Sequence, residues 1–275
     1  MKLIMIARDP DLAQFVAEHG VQRIMVDLEV LGKAERQGHL DTVFSHHTWD
    51  DVDAVRRAVP EAEVMVRINP YHEESGAEVQ RAVDAGADLV MVPMVADAET
   101  VQAFSDYAQG RVGLVPLVET AAGACRVQAI AATPGVKEVY FGLNDMHLQM
   151  GLSFMFELLA GGVVDAMASA CQQVPNRFGF GGIGRMAGDR LPGRSVLGEH
   201  VRLGSESVIL ARSFHARSQN LAELKERVDF PAEVQALRAA QAELQARTPQ
   251  ETELDRHATA QCIHAIAAQI RQGGA

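Results

Sequence analysis

One feature limits the fold more than any other. Short, almost uninterrupted apolar runs recur eight times along the chain, separated by longer stretches with helical periodicity. The runs are Leu3–Ile6, Arg23–Leu28, Glu63–Ile68, Leu89–Val92, Gly113–Val118, Glu138–Phe141, Arg177–Phe180 and Ser207–Leu210. Strands this continuous in Val, Ile, Leu and Met belong to parallel sheets covered on both faces. Between them, Asp11–His19, Asp50–Val59, Ser75–Ala85 and Asp97–Ala108 read as helices, with Asp11, Asp50, Ser75 and Asp97 standing where an N-cap is wanted. Gly86 reads as the stop of the third, ahead of the next strand. Strand alternating with helix eight times predicts an α/β protein, a (β/α)8 TIM barrel. The competing doubly wound sheet calls for a glycine-rich turn after its first strand, and Ala7-Arg8-Asp9-Pro10 holds no glycine.

Past Phe230 the pattern changes. Val234, Leu237 and Leu244 form one sparse apolar stripe, and Ile263, Ile266 and Ile270 another, with Thr248-Pro249 between them. The expected organisation is a barrel over residues 1–228 and a helical extension over 229–275. A helix with one apolar stripe must cover a surface. Here that surface is either the outside of the barrel or a neighbouring subunit of a homo-oligomer.

Charge narrows the partners. Among 275 residues, 25 Lys+Arg face 36 Asp+Glu, a formal net charge of −11. With no basic tract to offset repulsion from phosphate, neither nucleic acid nor an anionic membrane is an expected partner. No apolar run approaches the roughly 20 residues of a membrane span. The start of the chain meets Arg8-Asp9-Pro10 too early to hold a signal peptide. Cys125, Cys171 and Cys262 form no C-x-x-C pair, which fits a reducing cytoplasm. A small-molecule partner is expected.

In a (β/α)8 barrel the chemistry lies at the C-terminal ends of the strands. Polar residues stand there at Asp27-Leu28-Glu29, Arg67-Ile68-Asn69, Glu119-Thr120, Gly142-Leu143-Asn144-Asp145-Met146-His147, Gly181 to Arg185, and Arg212-Ser213. Carboxylates and an arginine converging on one rim suggest a hard divalent cation beside an anion, and oxygen ligands suit Mg²⁺ or Mn²⁺. Glu119 and Asp145 end consecutive strands and are the expected metal ligands, although Asp145 alone reads equally as a helix cap. Arg67 suits a bidentate grip on a substrate carboxylate. Gly142, Leu143, Asn144 and Asp145 are the stretch expected to bind substrate, where glycine lets backbone N–H groups approach an anion. Burying Glu119 or Arg67 without a partner would be costly, which ties the two together. Asp27 and Glu29 are expected to orient Arg67 or hold water. Met94 and Cys125 read as packing residues.

Five of these pieces, in order, carry a resemblance. Val26-Asp27-Leu28-Glu29, Val66-Arg67-Ile68-Asn69, Gly86-Ala87-Asp88 to Val92-Pro93-Met94, Leu117-Val118-Glu119-Thr120 and Phe141-Gly142-Leu143-Asn144-Asp145 resemble the HpcH/HpaI aldolase/citrate lyase superfamily. The resemblance implies a (β/α)8 barrel, a Mg²⁺ or Mn²⁺ site at Glu119 and Asp145, and Arg67 touching substrate. It also implies oligomers in which C-terminal helices pack on a neighbouring subunit. The sequence departs from the family's aldolases where they carry a histidine directly after the strand-two acid: Val30-Leu31 follows Glu29 here. It departs from the citrate-lyase-like branch in lacking the second Asp of its Asp-Leu-Glu-Asp run. The loop from Gly32 to Thr48, Asn144 to His147 and Gly181 to Arg185 match neither branch, which points to a less characterised subgroup.

The chemistry implied is making or breaking a carbon–carbon bond beside a carbonyl through an enolate, on a 2-oxo acid such as pyruvate. With the usual histidine absent, the proton carriers available are His46, His47, His72, His147 and Glu29, with the pair His46-His47 preferred. Lys33, Arg36 and Arg185 are candidates to bind a second acidic group, such as a phosphate or carboxylate, although Lys33 and Arg36 read equally as a solvated i,i+3 pair. Two alternatives stand beside this metal-dependent lyase or aldolase. Asp27-Leu28-Glu29 suggests a citryl- or malyl-thioester lyase, and the missing histidine suggests a non-catalytic metal- or acid-binding barrel.

Overall fold

The computed structural model describes residues 1–32, 47–174, 177–188 and 190–273. The expected roles of Lys33, Arg36 and His46 fall outside these residues. The eight apolar runs are strands: β1 (Lys2–Ile6), β2 (Arg23–Asp27), β3 (Glu63–Arg67), β4 (Leu89–Val92), β5 (Gly113–Val118), β6 (Glu138–Phe141), β7 (Arg177–Ile183) and β8 (Ser207–Leu210). All pair in parallel and in chain order, and β1 joins β8 to close the barrel, with Lys2 opposite Ser207.

Alternation along each strand explains why the runs are apolar throughout. Ile4, Met25, Met65, Leu89, Met91, Val115, Leu117 and Tyr140 fill the inside of the barrel. Leu3, Ile24, Val26, Val64, Val66, Val90, Val92, Leu114 and Val118 belong to the larger cluster formed with the helices. Both faces of each strand are dry. The same period carries the inward face past the apolar layer at each end. Arg23, Met25 and Asp27 share a face, as do Glu63, Met65 and Arg67, Leu117 and Glu119, and Glu138, Tyr140 and Gly142.

At the N-terminal end, Arg23 Nε donates to Glu63 at 2.9 Å and Nη1 to Glu138 at 3.1 Å, while Ser207 Oγ donates to Glu138. Above them Tyr140 spans the interior. Its hydroxyl donates to the Gly181 carbonyl at 2.7 Å and accepts from Ile209 N–H at 2.9 Å. A Cβ on Gly179 would lie 2.6 Å from the Tyr140 ring. A register shift between Gly179 and Gly182 carries β7 three residues beyond the end expected at Phe180.

The helices are α1 (Pro10–Glu18), α2 (Trp49–Ala58), α3 (Ser75–Asp84), α4 (Ala98–Ala108), α5 (Ala121–Cys125), α6 (Val127–Ala131), α7 (Leu143–Gln149), α8 (Glu157–Ala160), α9 (Val163–Gln172), α10 (Gly193–Leu203), α11 (Leu221–Arg227), α12 (Phe230–Gln245) and α13 (Pro249–Gly273). Asp97 caps α4 as expected, accepting from Thr100 N–H at 2.8 Å. Three other starts differ. Pro10 serves as the first residue of α1, so Asp9 and not Asp11 is the cap. Thr48 and Asp51 form a capping box ahead of Asp50. Ser75 lies inside α3, where its hydroxyl accepts from His72 N–H at 2.8 Å. Cys125 is exposed, so it is not the packing residue expected.

The tail packs within the chain. α12 lies on α10, and α13 on α8 and α10. Val234, Leu237, Leu244, Ile263 and Ile266 are buried there. Residues of both stripes thus pack on helices of this chain's own barrel, the first of the two surfaces expected for them. Among the described residues no helix is long and apolar enough to cross a membrane.

Candidate active site

Asp27 and Arg67 are register partners on β2 and β3, both on the inward face at the C-terminal rim. Arg67 Nε donates to Asp27 Oδ1 at 2.8 Å and Nη2 to Oδ2 at 2.7 Å. Glu29 Oε2 lies 3.5 Å from the same Nε. Asp27 and Glu29 are buried, and their charges hold the guanidinium even more firmly protonated than usual, against the desolvation that opposes it. Arg67, expected to fork a substrate carboxylate, instead has its Nε–Nη2 edge taken by Asp27. The stretch after Glu29 is pinned by Asn69, whose Oδ1 accepts from both Val30 and Leu31 N–H at 2.9 Å and whose Nδ2 donates to Glu78 at 2.6 Å.

Glu119 follows β5 directly and is buried. Its Oε1 accepts from Met94 N–H at 3.0 Å. Met94 holds φ at +57°, a left-handed backbone that costs a non-glycine residue about 1–2 kcal/mol. Its neighbours are clamped to the end of β5. Val95 N–H donates to Leu117, Thr120 Oγ1 donates to the Val95 carbonyl, and Thr120 also caps α5. Met94 is therefore more than packing, because its peptide holds the buried acid.

A Cβ on Gly142 would lie 2.7 Å from both Cβ and Oε2 of Glu119, so the glycine leaves the space that carboxylate fills. Asp145 is the third residue of α7 and its cap position is Gly142, so the capping alternative for Asp145 does not hold. The Leu143 side chain belongs to the core, which leaves its backbone to the rim.

Burial raises Glu119 most, the charges of Asp145 and Glu29 raise it further, and Arg67 and the Met94 N–H oppose them. The carboxyl is pushed up to about 8. The charges of Arg67, Glu29 and Asp145 all act on Glu119, so the structure brings these four residues together. Among the described residues no group of three or more His, Cys, Asp or Glu side chains forms a cage for an ion. Two carboxylates, Glu119 and Asp145, stand close enough for the charge of one to act on the other. That suits Mg²⁺, which takes one or two carboxylates and leaves its other positions to water and substrate. A buried carboxylate crowded by two others is short of positive charge.

The histidines divide. His47 Nδ1 accepts from Asp27 N–H at 3.0 Å. His72 pairs with Glu78 at 3.3 Å, and His147 Nδ1 bonds carbonyls of its own helix. Arg185 Nε donates to the Phe214 carbonyl at 3.4 Å, tying the loops after β7 and β8. Asn69 and Met94 had no functional reading from sequence. Asn69 stands before Pro70 at a strand end, a signal of sorts, whereas nothing in the sequence marks a left-handed methionine.

A family model described as HpcH/HpaI aldolase/citrate lyase matches residues 3–160, from β1 to α8. No curated protein matches. Among solved structures, the chain is similar to an HpcH/HpaI aldolase from Desulfitobacterium hafniense DCB-2, with 17% identity and a TM-score of 0.60 over 90% of this chain and 93% of that one. It is similar to an HpcH/HpaI aldolase/citrate lyase family protein from Burkholderia cenocepacia J2315, with 18% identity and a TM-score of 0.58 over 89% and 95%. A citrate lyase beta subunit complexed with oxaloacetate and magnesium from M. tuberculosis gives 18% identity and a TM-score of 0.59 over 87% and 96%. At these identities the likeness carries the fold alone. The family match spans more than half of the sequence and includes Asp27, Glu29, Arg67, Glu119 and Asp145: this chain belongs to the HpcH/HpaI aldolase/citrate lyase family.

Proposed function

We propose that this lyase-family barrel is a divalent-metal-dependent carbon–carbon lyase or aldolase acting on a 2-oxo acid through an enolate. One observation carries the reading: a buried Glu119 carboxylate, crowded by Asp145 and Glu29, beside the Arg67 guanidinium. Glu119 and Asp145 would hold Mg²⁺ or Mn²⁺. The relative from M. tuberculosis was crystallised with magnesium and oxaloacetate, itself a 2-oxo acid. When bound, a divalent ion supplies positive charge that stabilises the enolate as it develops.

The chain's own residues do the rest. Asp27 presets the orientation of Arg67, so the second positive charge at the carbonyl needs no reorganisation. The Gly142 N–H is held by the Val118 carbonyl at 2.9 Å, so the backbone N–H groups of Leu143 and Asn144 at the start of α7 receive the substrate carboxylate. Glu29, buried beside Arg67, takes or returns the proton of the cleaved hydroxyl. The test is exchange of pyruvate methyl protons in D₂O with Mg²⁺ or Mn²⁺, followed by NMR. Exchange is expected from the native chain and none from Glu119→Gln. A native chain that exchanges nothing with either metal refutes the reading in favour of a non-catalytic barrel.

A further inference from the structure

His47 is bound to the site in a way that decides its chemistry. β1 ends at Ile6, and the next residue, Ala7, donates to the Met25 carbonyl at 3.1 Å. The next donor along that edge of β2 is the Asp27 N–H, buried and past the end of the neighbouring strand. His47 Nδ1 meets it at 3.0 Å. On the other edge Leu28 N–H donates to the Arg67 carbonyl at 2.8 Å, so Asp27 is fixed by backbone on both sides. Its carboxylate accepts from Arg67 with both oxygens and from Glu29 N–H with Oδ1 at 3.2 Å. His47 itself is anchored by the capping box that follows it, in which Thr48 N–H donates to Asp51 at 2.7 Å.

A backbone N–H carries its hydrogen permanently, so the ring nitrogen facing it must offer a lone pair. The ring proton then sits on Nε2. We infer that His47 is a positioning residue, a neutral Nε2–H imidazole whose Nδ1 secures Asp27 and through it Arg67, and not the group that accepts a proton in the reaction. The inference deepens the proposed function and rests on it for its turnover arm alone.

Three readouts test it on the full chain. In ¹⁵N spectra at pH 7, with His47 assigned by its loss in a variant, the ring proton is expected on Nε2. A proton on Nδ1, or on both nitrogens, overturns the inference. Amide exchange at Asp27 is expected to quicken by about tenfold or more in His47→Leu, where a bond is lost. It should return toward native in His47→Asn, whose Oδ1 stands where Nδ1 stood but which cannot carry the imidazole's proton. In the pyruvate assay His47→Asn should keep turnover within about threefold of native, with His47→Leu lower by more than about tenfold. An asparagine variant as inactive as the leucine variant overturns the positioning role. If the native chain exchanges no pyruvate protons, the lyase reading fails while the ring spectrum and the Asp27 amide still decide the point.

Discussion

Glu119 makes an unusual demand on the metal-free fold, and Glu119→Gln isolates it. In the unfolded chain this carboxyl titrates near its ordinary 4.5, and in the fold near 8. The folded chain therefore binds the extra proton between those values. Its stabilising contribution is complete below the unfolded value and is lost as pH rises through the folded one. At pH 6 the contribution is about 3 kcal/mol, from two pH steps at about 1.4 kcal/mol each, and by pH 9 it is close to zero. Glutamine keeps the shape, can still accept from Met94 N–H, and has nothing to ionise. Urea denaturation of chelator-treated protein at pH 6 and pH 9 should show the native chain losing about 3 kcal/mol more than Glu119→Gln over that interval. Comparing the two chains cancels the groups they share. Adding Mg²⁺ or Mn²⁺ at pH 9 should restore the native chain and leave the variant unchanged. Parallel losses in the two proteins would refute the crowding argument, and an equal response to metal would refute Glu119 as a ligand.

Three further outcomes follow from neighbouring contacts. Gly142→Ala places a methyl 2.7 Å from Glu119 at a φ of −83° that alanine tolerates, so its effect is steric: about 1–3 kcal/mol of stability, read by thermal melts, with weaker Mn²⁺ binding by calorimetry. Arg67→Lys keeps the charge but loses the paired bonds to Asp27, and pyruvate exchange should fall by about tenfold or more with folding intact by circular dichroism. His200 is fully buried, stacked 3.7 Å from Phe180, and burial pushes it down to about 3. The unfolded chain takes up a proton below about 6.5 that the fold refuses, so this residue should cost about 2 kcal/mol between pH 7.5 and 5. Denaturation of His200→Gln should lack that slope.

Much of the rim was legible because it sits at the end of apolar strands. A charge placed directly after Val-Met-Val or Leu-Val-Pro-Leu-Val inherits the inward parity of the strand and demands a partner, which singles out Arg67 and Glu119 without a structure. The bounds of β4, β5, β6 and β8 were legible for the same reason. Features that depend on distant chain were not. The shift that lengthens β7 answers to Tyr140 and β8, and the left-handed Met94 answers to Glu119, 25 positions away. Helix starts were misread at Asp11, Asp50 and Ser75 because a proline, a capping box and a turn were available one or two residues earlier. The tie between His47 and Asp27 had no sequence signal at all, since it exists only because β1 stops one residue short.

The two ends of the barrel interior are built by one rule and differ in charge balance. At the N-terminal end, Lys2 and Arg23 meet Glu63 and Glu138, and Ser207 completes the network. Two cations match two carboxylates, and paired charges of that kind can be buried at tolerable cost. Two of the same strands, β2 and β3, present Asp27 and Arg67 two residues beyond the apolar layer, with Glu119 following β5, Glu29 following β2 and Asp145 in the first turn of α7. There one guanidinium faces four carboxylates. A plug needs neutrality, whereas a site for a cation needs a deficit of positive charge held rigid in a dry setting. Substituting a neutral side chain for Glu138 should therefore destabilise the fold by stranding Arg23, while at pH 9, where Glu119 is ionised, the same change there should relieve it. The opposite sign of the two effects is what separates a structural end from a functional one.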